Sequence, residues 1–226
     1  MKRPSPGGWA LLALALAAGL GVSAWLQMRP GAGARLDLTP VVEGVLNDPG
    51  SPASGAAKPQ VTIVVFTDYQ CPICKRTDPA LGKLLDGDPS VRVVWKDWPI
   101  RGPMSDFAAR TALAAARQGR YREVHAALMA ARGPLDPARI DTLAAAAGAD
   151  PGRLAADRTA YAREIDAQLA RHRLQAFGLG LAGTPAYLIG PFRIEGGLDS
   201  VSLRRTVERA RKAGPPRPSE AALTGS

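Results

Sequence analysis

The sequence predicts an α/β domain that runs strand, helix, strand, long helical block, strand, strand, helix, behind an N-terminal export segment. Three observations predict it. Val61 to Phe66 is a dense β-branched and aromatic run, as in a strand buried on both faces. Ser105 to about Ala176 is alanine-rich and punctuated like a series of three or four helices. Ala186 to Ile189 and Phe192 to Glu195 then return to strand character before a turn at Gly196-Gly197.

Taken in order, Lys2 and Arg3 precede an uncharged, mostly apolar run from Trp9 to Leu26, which Arg29-Pro30-Gly31 closes. Cations followed by an apolar run at the extreme N-terminus predict export. The run is just long enough to span a bilayer, which favours an uncleaved signal anchor with everything after residue 30 on the far side. Ala32-Gly33-Ala34 keeps a cleaved signal peptide open. Residues 30–59 have the Gly, Pro, Ala and Ser content of a flexible linker, with one short amphipathic piece around Val41 to Leu46.

The domain itself is expected over residues 60–214. After the first strand, a helix starts near Cys71 and runs to about Leu85, with Pro72 at its first turn and a kink expected at Pro79. A second strand follows at Val91 to Trp95. Within the helical block, Asp136 before Pro137 and Asp150 before Pro151 each pair an N-cap with a first-turn proline, and Gly178 ends the last helix. A final helix is expected from about Ser200 to Ala213, and residues 215–226 read as a disordered tail.

The net charge of +9 raises the question of an acidic partner. The basic residues are scattered among Asp and Glu on helical stretches, and the denser cluster from Arg204 to Lys212 reads as a solvated helix face. With no aromatic-plus-basic pattern beside it, no nucleic-acid partner is expected.

The chain holds two cysteines, Cys71 and Cys74, in Cys-Pro-Ile-Cys at a predicted helix start. Unpaired N–H groups and the helix dipole stabilise a thiolate there, and the one-turn spacing lets a second thiol resolve a mixed disulfide made by the first. Cys71 is the expected nucleophile and Cys74 the resolving thiol. A structural disulfide, or a thiolate pair handling copper, uses the same residues. A zinc site would need further ligands, and His125 and His172 lie in distant helices where a surface or core role is the ordinary one. No metal is expected.

The run Val61-Thr62-Ile63-Val64-Val65-Phe66-Thr67-Asp68-Tyr69-Gln70-Cys71-Pro72-Ile73-Cys74-Lys75 resembles the active-site strand and turn of DsbA-like thiol-disulfide oxidoreductases of the thioredoxin superfamily. Gly183-Thr184-Pro185-Ala186-Tyr187 resembles their second signature. The resemblance covers roughly residues 58–214 and implies a thioredoxin fold with a helical insertion at about 105–176. It also implies a cis bond before Pro185, with Thr184, Pro185, Pro72 and Ile73 lining the place where a client segment lies beside Cys71. No cofactor beyond the cysteine pair is implied. The implied partners are client proteins with thiols or disulfides and a membrane or soluble redox partner, in the periplasm or cell envelope, with the membrane itself reached through the N-terminal segment. A redox-inert binding domain is the alternative within the fold.

Two positions depart from the family pattern. Val65 stands where many superfamily members bury an acid that helps deprotonate the resolving thiol, which leaves Asp68 and Asp97 as substitutes, each also readable as a turn or surface carboxylate. Ile73 stands where strongly oxidising relatives have histidine. Cys71 is therefore expected to titrate between about 3.5, as in DsbA, and about 7, as in thioredoxin. Trp95 and Trp98 are expected to pack in the core, with one of them possible as a wall of the client groove.

Overall fold

The computed structural model describes residues 33–218 and, ahead of them, Gly19 alone. Apart from Gly19, the export segment expected at residues 9–26 lies outside the described residues, as does most of the expected tail. Among the described residues, no helix is long and apolar enough to cross a membrane.

One six-stranded sheet organises the domain, in the order β1-β6-β5-β3-β4-β2. Its strands are β1 (Ala34–Arg35), β2 (Ala53–Gly55), β3 (Val61–Thr67), β4 (Val91–Asp97), β5 (Ala186–Ile189) and β6 (Phe192–Glu195). β3 and β4 run parallel in a register that sets Val61 opposite Val91 and Thr67 opposite Asp97, and every other pair is antiparallel. The helices are α1 (Pro40–Leu46), α2 (Pro72–Gly87), α3 (Pro103–Ala116), α4 (Tyr121–Ala130), α5 (Pro137–Ala146), α6 (Pro151–Ala160), α7 (Ala162–Gly178) and α8 (Ser200–Ala213).

Both faces of the sheet are covered, which is why β3 is apolar at almost every position rather than alternating. Ile63 and Val65 point into the larger core, with Leu81 and Leu85 of α2, Leu203 and Val207 of α8 and the helical block. Val64 and Phe66 point the other way, onto Val42 and Val45 of α1 and Ala176 of α7. Trp95 belongs to the first core and Trp98 to the second, and each is 3% exposed, so neither forms an open groove wall.

The helical block at residues 103–178 holds five helices rather than the three or four expected. The extra boundaries fall where the sequence carries no helix-stopping proline: α6 and α7 meet at Tyr161, which ends one helix and begins the next. Asp136 and Asp150 cap α5 and α6 as expected, accepting from the N–H groups of Arg139 and Arg153 at 2.8 and 2.7 Å. α2 continues through Pro79 to Gly87.

The expected linker at residues 30–59 is corrected for the described part, from residue 33. It contributes β1, α1 and β2 to the sheet and the second core. The cause is a buried polar anchor that composition does not reveal. Lys96, fully buried on β4, donates to Asp48 at 2.6 Å and to the Ser51 hydroxyl at 2.8 Å. Ser51 also meets His172 Nε2 at 3.0 Å, and the other ring nitrogen of His172 meets the Asp97 carbonyl at 3.0 Å. Burial, reinforced by Lys96, pushes His172 down to about 3, so it stays neutral. An unpaired lysine there would be costly, and the segment supplies its counter-charge. The start of the expected tail is likewise fixed, with the Leu38 N–H donating to the Arg217 carbonyl at 2.7 Å.

Candidate functional site

The parallel pair β3–β4 ends at Thr67 and Asp97, and the chain turns through Asp68, Tyr69 and Gln70 into α2. Cys71 is the N-cap of α2 and Pro72 occupies its first turn, where the missing N–H would be unpaired anyway. The Cys74 N–H donates to the Cys71 sulfur at 3.3 Å. Both cysteines are free thiols in the structure and both are buried, Cys71 beneath a surface that Pro72 and Ile73 expose.

The two thiols differ sharply. A hydrogen bond from the Cys74 thiol is the largest influence on Cys71. With the Cys74 N–H, Thr184 and the Ile73 N–H added, it outweighs burial and lowers Cys71 to about 5. The same shared hydrogen bond, followed by burial, pushes Cys74 far above the ordinary thiol range. One proton between two sulfurs thus stays on Cys74 while Cys71 ionises, which is the asymmetry a helix N-terminus favours.

Thr184 faces this pair from 113 residues away, and while Cys71 still carries its proton the Sγ–H donates to the Thr184 carbonyl at 3.3 Å. The Thr184–Pro185 bond is cis. β5 begins only at Ala186, so Thr184 lies outside the sheet pairing, next to the sulfur. The DSBA-like thioredoxin domain family matches residues 62–206.

The chain belongs to that family. A thioredoxin-like oxidoreductase from Silicibacter pomeroyi DSS-3 is similar at 39% identity and a TM-score of 0.71, over 75% of this chain and 97% of that one. A periplasmic thioredoxin-like protein from Salmonella enterica serovar Typhimurium is similar at 30% identity and 0.69, over 78% and 99%. The thiol-disulfide exchange protein alpha-DsbA2 from Wolbachia pipientis is similar at 28% identity and 0.71, over 74% and 90%. Among curated relatives, a Na(+)/H(+) antiporter NhaA of Salinispora tropica is 33% identical over 155 residues, 62% of this chain but 22% of the antiporter. The chain thus spans about a fifth of the length of that relative, a share too small to carry ion transport over.

Val65 packs in the core at 4% exposure, directly opposite Tyr187 on β5. Neither suggested replacement acid brings its carboxylate into a hydrogen bond with Cys74, although the Asp68 backbone N–H faces that sulfur and favours its ionised form. Asp68 is fully engaged as a clamp, its carboxylate accepting from the N–H groups of Gln70, Ile100 and Arg101 at 2.7, 2.8 and 3.0 Å and from the Ser105 hydroxyl at 2.6 Å. Asp97 is buried behind aromatic rings, with the Tyr121 hydroxyl donating to its two oxygens at 3.0 and 3.1 Å.

Burial raises Asp97 to about 6. A carboxyl raised above its unfolded value of about 3.9 stabilises the fold below that value and loses the contribution as pH rises through its folded pKa. The disulfide form of Asp97→Asn is therefore expected to gain about 2 kcal/mol on the wild type between pH 4 and pH 6.5. Urea melts of both proteins across that range check it, and parallel pH profiles would count against it.

Sequence reasoning missed a polar cluster beside the pair. His125, in α4 and 2% exposed, has the Tyr69 hydroxyl 3.0 Å from Nδ1 and the Asp78 carboxylate 3.0 Å from Nε2. Tyr187 meets Thr77 hydroxyl to hydroxyl at 3.3 Å. One signal was available: Asp78 falls on the stripe Cys74, Asp78, Leu81, Leu85, an acid on the buried face of a helix.

Proposed function

We propose that this chain is a protein thiol-disulfide oxidoreductase working outside the cytoplasm through Cys71 and Cys74. The observation that carries the reading is the low-pKa Cys71 sulfur at a helix N-cap, 3.3 Å from the Thr184 carbonyl. The Cys71 thiolate attacks one sulfur of a client disulfide and the other client sulfur leaves as a thiolate. Cys74, deprotonated, then attacks Cys71 in the mixed disulfide, closing the Cys71–Cys74 disulfide and releasing the reduced client. In reverse, a client dithiol is oxidised and the pair reduced. The cofactor is the cysteine pair itself.

An extended client segment is held by the backbone of Thr184, which lies ahead of β5 and out of the sheet pairing, in the manner of strand addition, while Pro185, whose carbonyl already accepts from the Gly196 N–H at 2.9 Å, supplies its ring as an apolar contact. Pro72 and Ile73, the latter 38% exposed, supply the apolar contact on the other side of the sulfur. Clients, together with a membrane or soluble redox partner that resets the pair, are the partners. The apolar run after Lys2 and Arg3 and the periplasmic relative both support placement in the periplasm or cell envelope. Insulin reduction and refolding of a reduced, disulfide-rich client test the activity. Turnover in either supports the reading, and none in both removes it.

Ile73 adds neither charge nor hydrogen bond to the thiolate. Ile73→His places a cation within a turn of Cys71, and is expected to lower the Cys71 pKa by about one and raise the reduction potential by about 30 mV. The wild-type couple should be less oxidising than DsbA, at about −120 mV. Thiolate absorbance and glutathione equilibration measure both, and a histidine variant that turns more reducing would place control of the couple outside the Cys-Pro-Ile-Cys turn.

A further inference from the structure

Resting on the exchange reaction proposed above, we infer that Asp78, held by His125, takes the proton of Cys74 during resolution and so stands in for the acid missing at Val65.

Asp78 follows Cys74 by one helical turn on α2, on the buried stripe that continues to Leu81 and Leu85. Side chains four apart on a helix have Cβ atoms about 5–6 Å apart. A helical side chain also leans over the turn N-terminal to its own Cα, which for Asp78 is the turn carrying Cys74. A carboxylate covers that span directly or through one water.

His125 is buried and fixed on both ring nitrogens, and the tautomer that serves both contacts has Nε2–H donating to Asp78 while the Tyr69 hydroxyl donates to Nδ1. The Asp78 side chain is 18% exposed, so a proton collected there has a way to solvent. Tyr187, opposite Val65, brings its hydroxyl into the same space. Burial and then the charges of Cys74, Asp78 and Cys71 push it up to about 12, although the Thr77 hydrogen bond opposes them. It is therefore a neutral neighbour rather than a base. The other titratable groups around the pair are Asp68 and Tyr69 of the active-site turn, Lys75 of α2, Asp97 of β4 and Tyr121 of α4.

The step balances. Cys74–SH gives its proton to the Asp78 carboxylate, and the Cys74 thiolate forms a bond to Cys71 as the Cys71–client bond breaks. The client sulfur leaves with the electron pair, and Asp78 returns the proton to solvent. In the oxidising direction, protonated Asp78 supplies the proton to the departing Cys74 thiolate.

Oxidised glutathione is the probe, with formation and release of the Cys71–glutathione adduct followed separately by rapid quench from pH 5 to 9. Release by the wild type should be nearly flat between pH 6 and 8. In Asp78→Asn, release at pH 7 should drop at least about tenfold, within the range of a lost general base. The deficit should close towards pH 9 as hydroxide does the work, with adduct formation unchanged within about twofold. Asp78→Glu should recover most of the loss. Release by Asp78→Asn equal to wild type, or slowed equally at every pH, would overturn the assignment. If Asp78→Asn does not fold, the wild-type profile decides, and a slope near tenfold per pH unit from 6 to 8 would overturn it. A wild type that forms no adduct at Cys71 would instead refute the exchange reaction itself.

Discussion

Cys71→Ser is expected to abolish disulfide exchange, while Cys74→Ser is expected to leave a protein that attacks clients and stays attached to them. The difference follows from the unequal thiols. Cys71 sits at the helix N-cap with the N–H of Cys74 on its sulfur, and titrates at about 5, so it is almost wholly ionised at pH 7. Cys74 is held far above the ordinary range by the proton it shares with Cys71, so it is nearly always a thiol there. A serine hydroxyl cannot replace a thiolate nucleophile, so the loss at Cys71 should reach at least about a thousandfold, the background being a thiol that is ionised only rarely. Non-reducing gels of cell extracts check this. Adducts should accumulate with Cys74→Ser and be absent with Cys71→Ser, and the opposite pattern would exchange the two roles.

Asp68→Ala is expected to cost about 3–5 kcal/mol and to loosen the active-site turn. The Asp68 carboxylate is buried and accepts four hydrogen bonds, from Gln70 in the turn before Cys71, from Ile100 and Arg101 in the loop after β4, and from Ser105 in the first turn of α3. Hydrogen bonds to a charged group contribute about 1.5–3 kcal/mol each, and removing their common acceptor strands several donors at once. Gln70 directly precedes Cys71, so the loss falls on the site as well as on stability. Asp68→Asn, which keeps the shape and one acceptor oxygen, should retain about half of the lost stability. Denaturant melts of the three proteins check the order. An alanine variant as stable as wild type would mean that water meets those four donors without loss.

The residues that follow simple rules were legible in the sequence. Val61 to Phe66 is apolar at nearly every position because both faces of β3 are covered, and Asp136 and Asp150 announce their helices by capping them. Cys71, Cys74, Thr184 and Pro185 were found from two short signatures, and the structure brings Cys71 within hydrogen-bond reach of Cys74 and of Thr184, with Pro185 next in the chain. What escaped notice depends on partners far apart in the chain. Residues 33–59 look like a linker until Lys96, 48 residues after Asp48, supplies the charge that fixes them. His125 reads as an ordinary helix residue until folding sets it between Tyr69 and Asp78, 56 and 47 residues away. Asp68 and Asp97 looked alike as carboxylates near the site. Their different hydrogen-bond partners make one a clamp and the other a buried acid behind Tyr121.

The most direct test of the account is the ionisation of Cys71 in the reduced protein, read as thiolate absorbance against pH with Cys71→Ser as the blank. A folded pKa below the unfolded thiol value of about 8.5 stabilises the reduced protein, fully above that value and not at all once pH falls through the folded pKa. Reduced and disulfide forms melted side by side should therefore diverge in favour of the reduced form as pH rises from 5 to 8.5. A single transition centred near 5 that Cys71→Ser removes is the expected result. A midpoint near 8.5, or a transition near 5 that survives in Cys71→Ser and vanishes in Cys74→Ser, would contradict it.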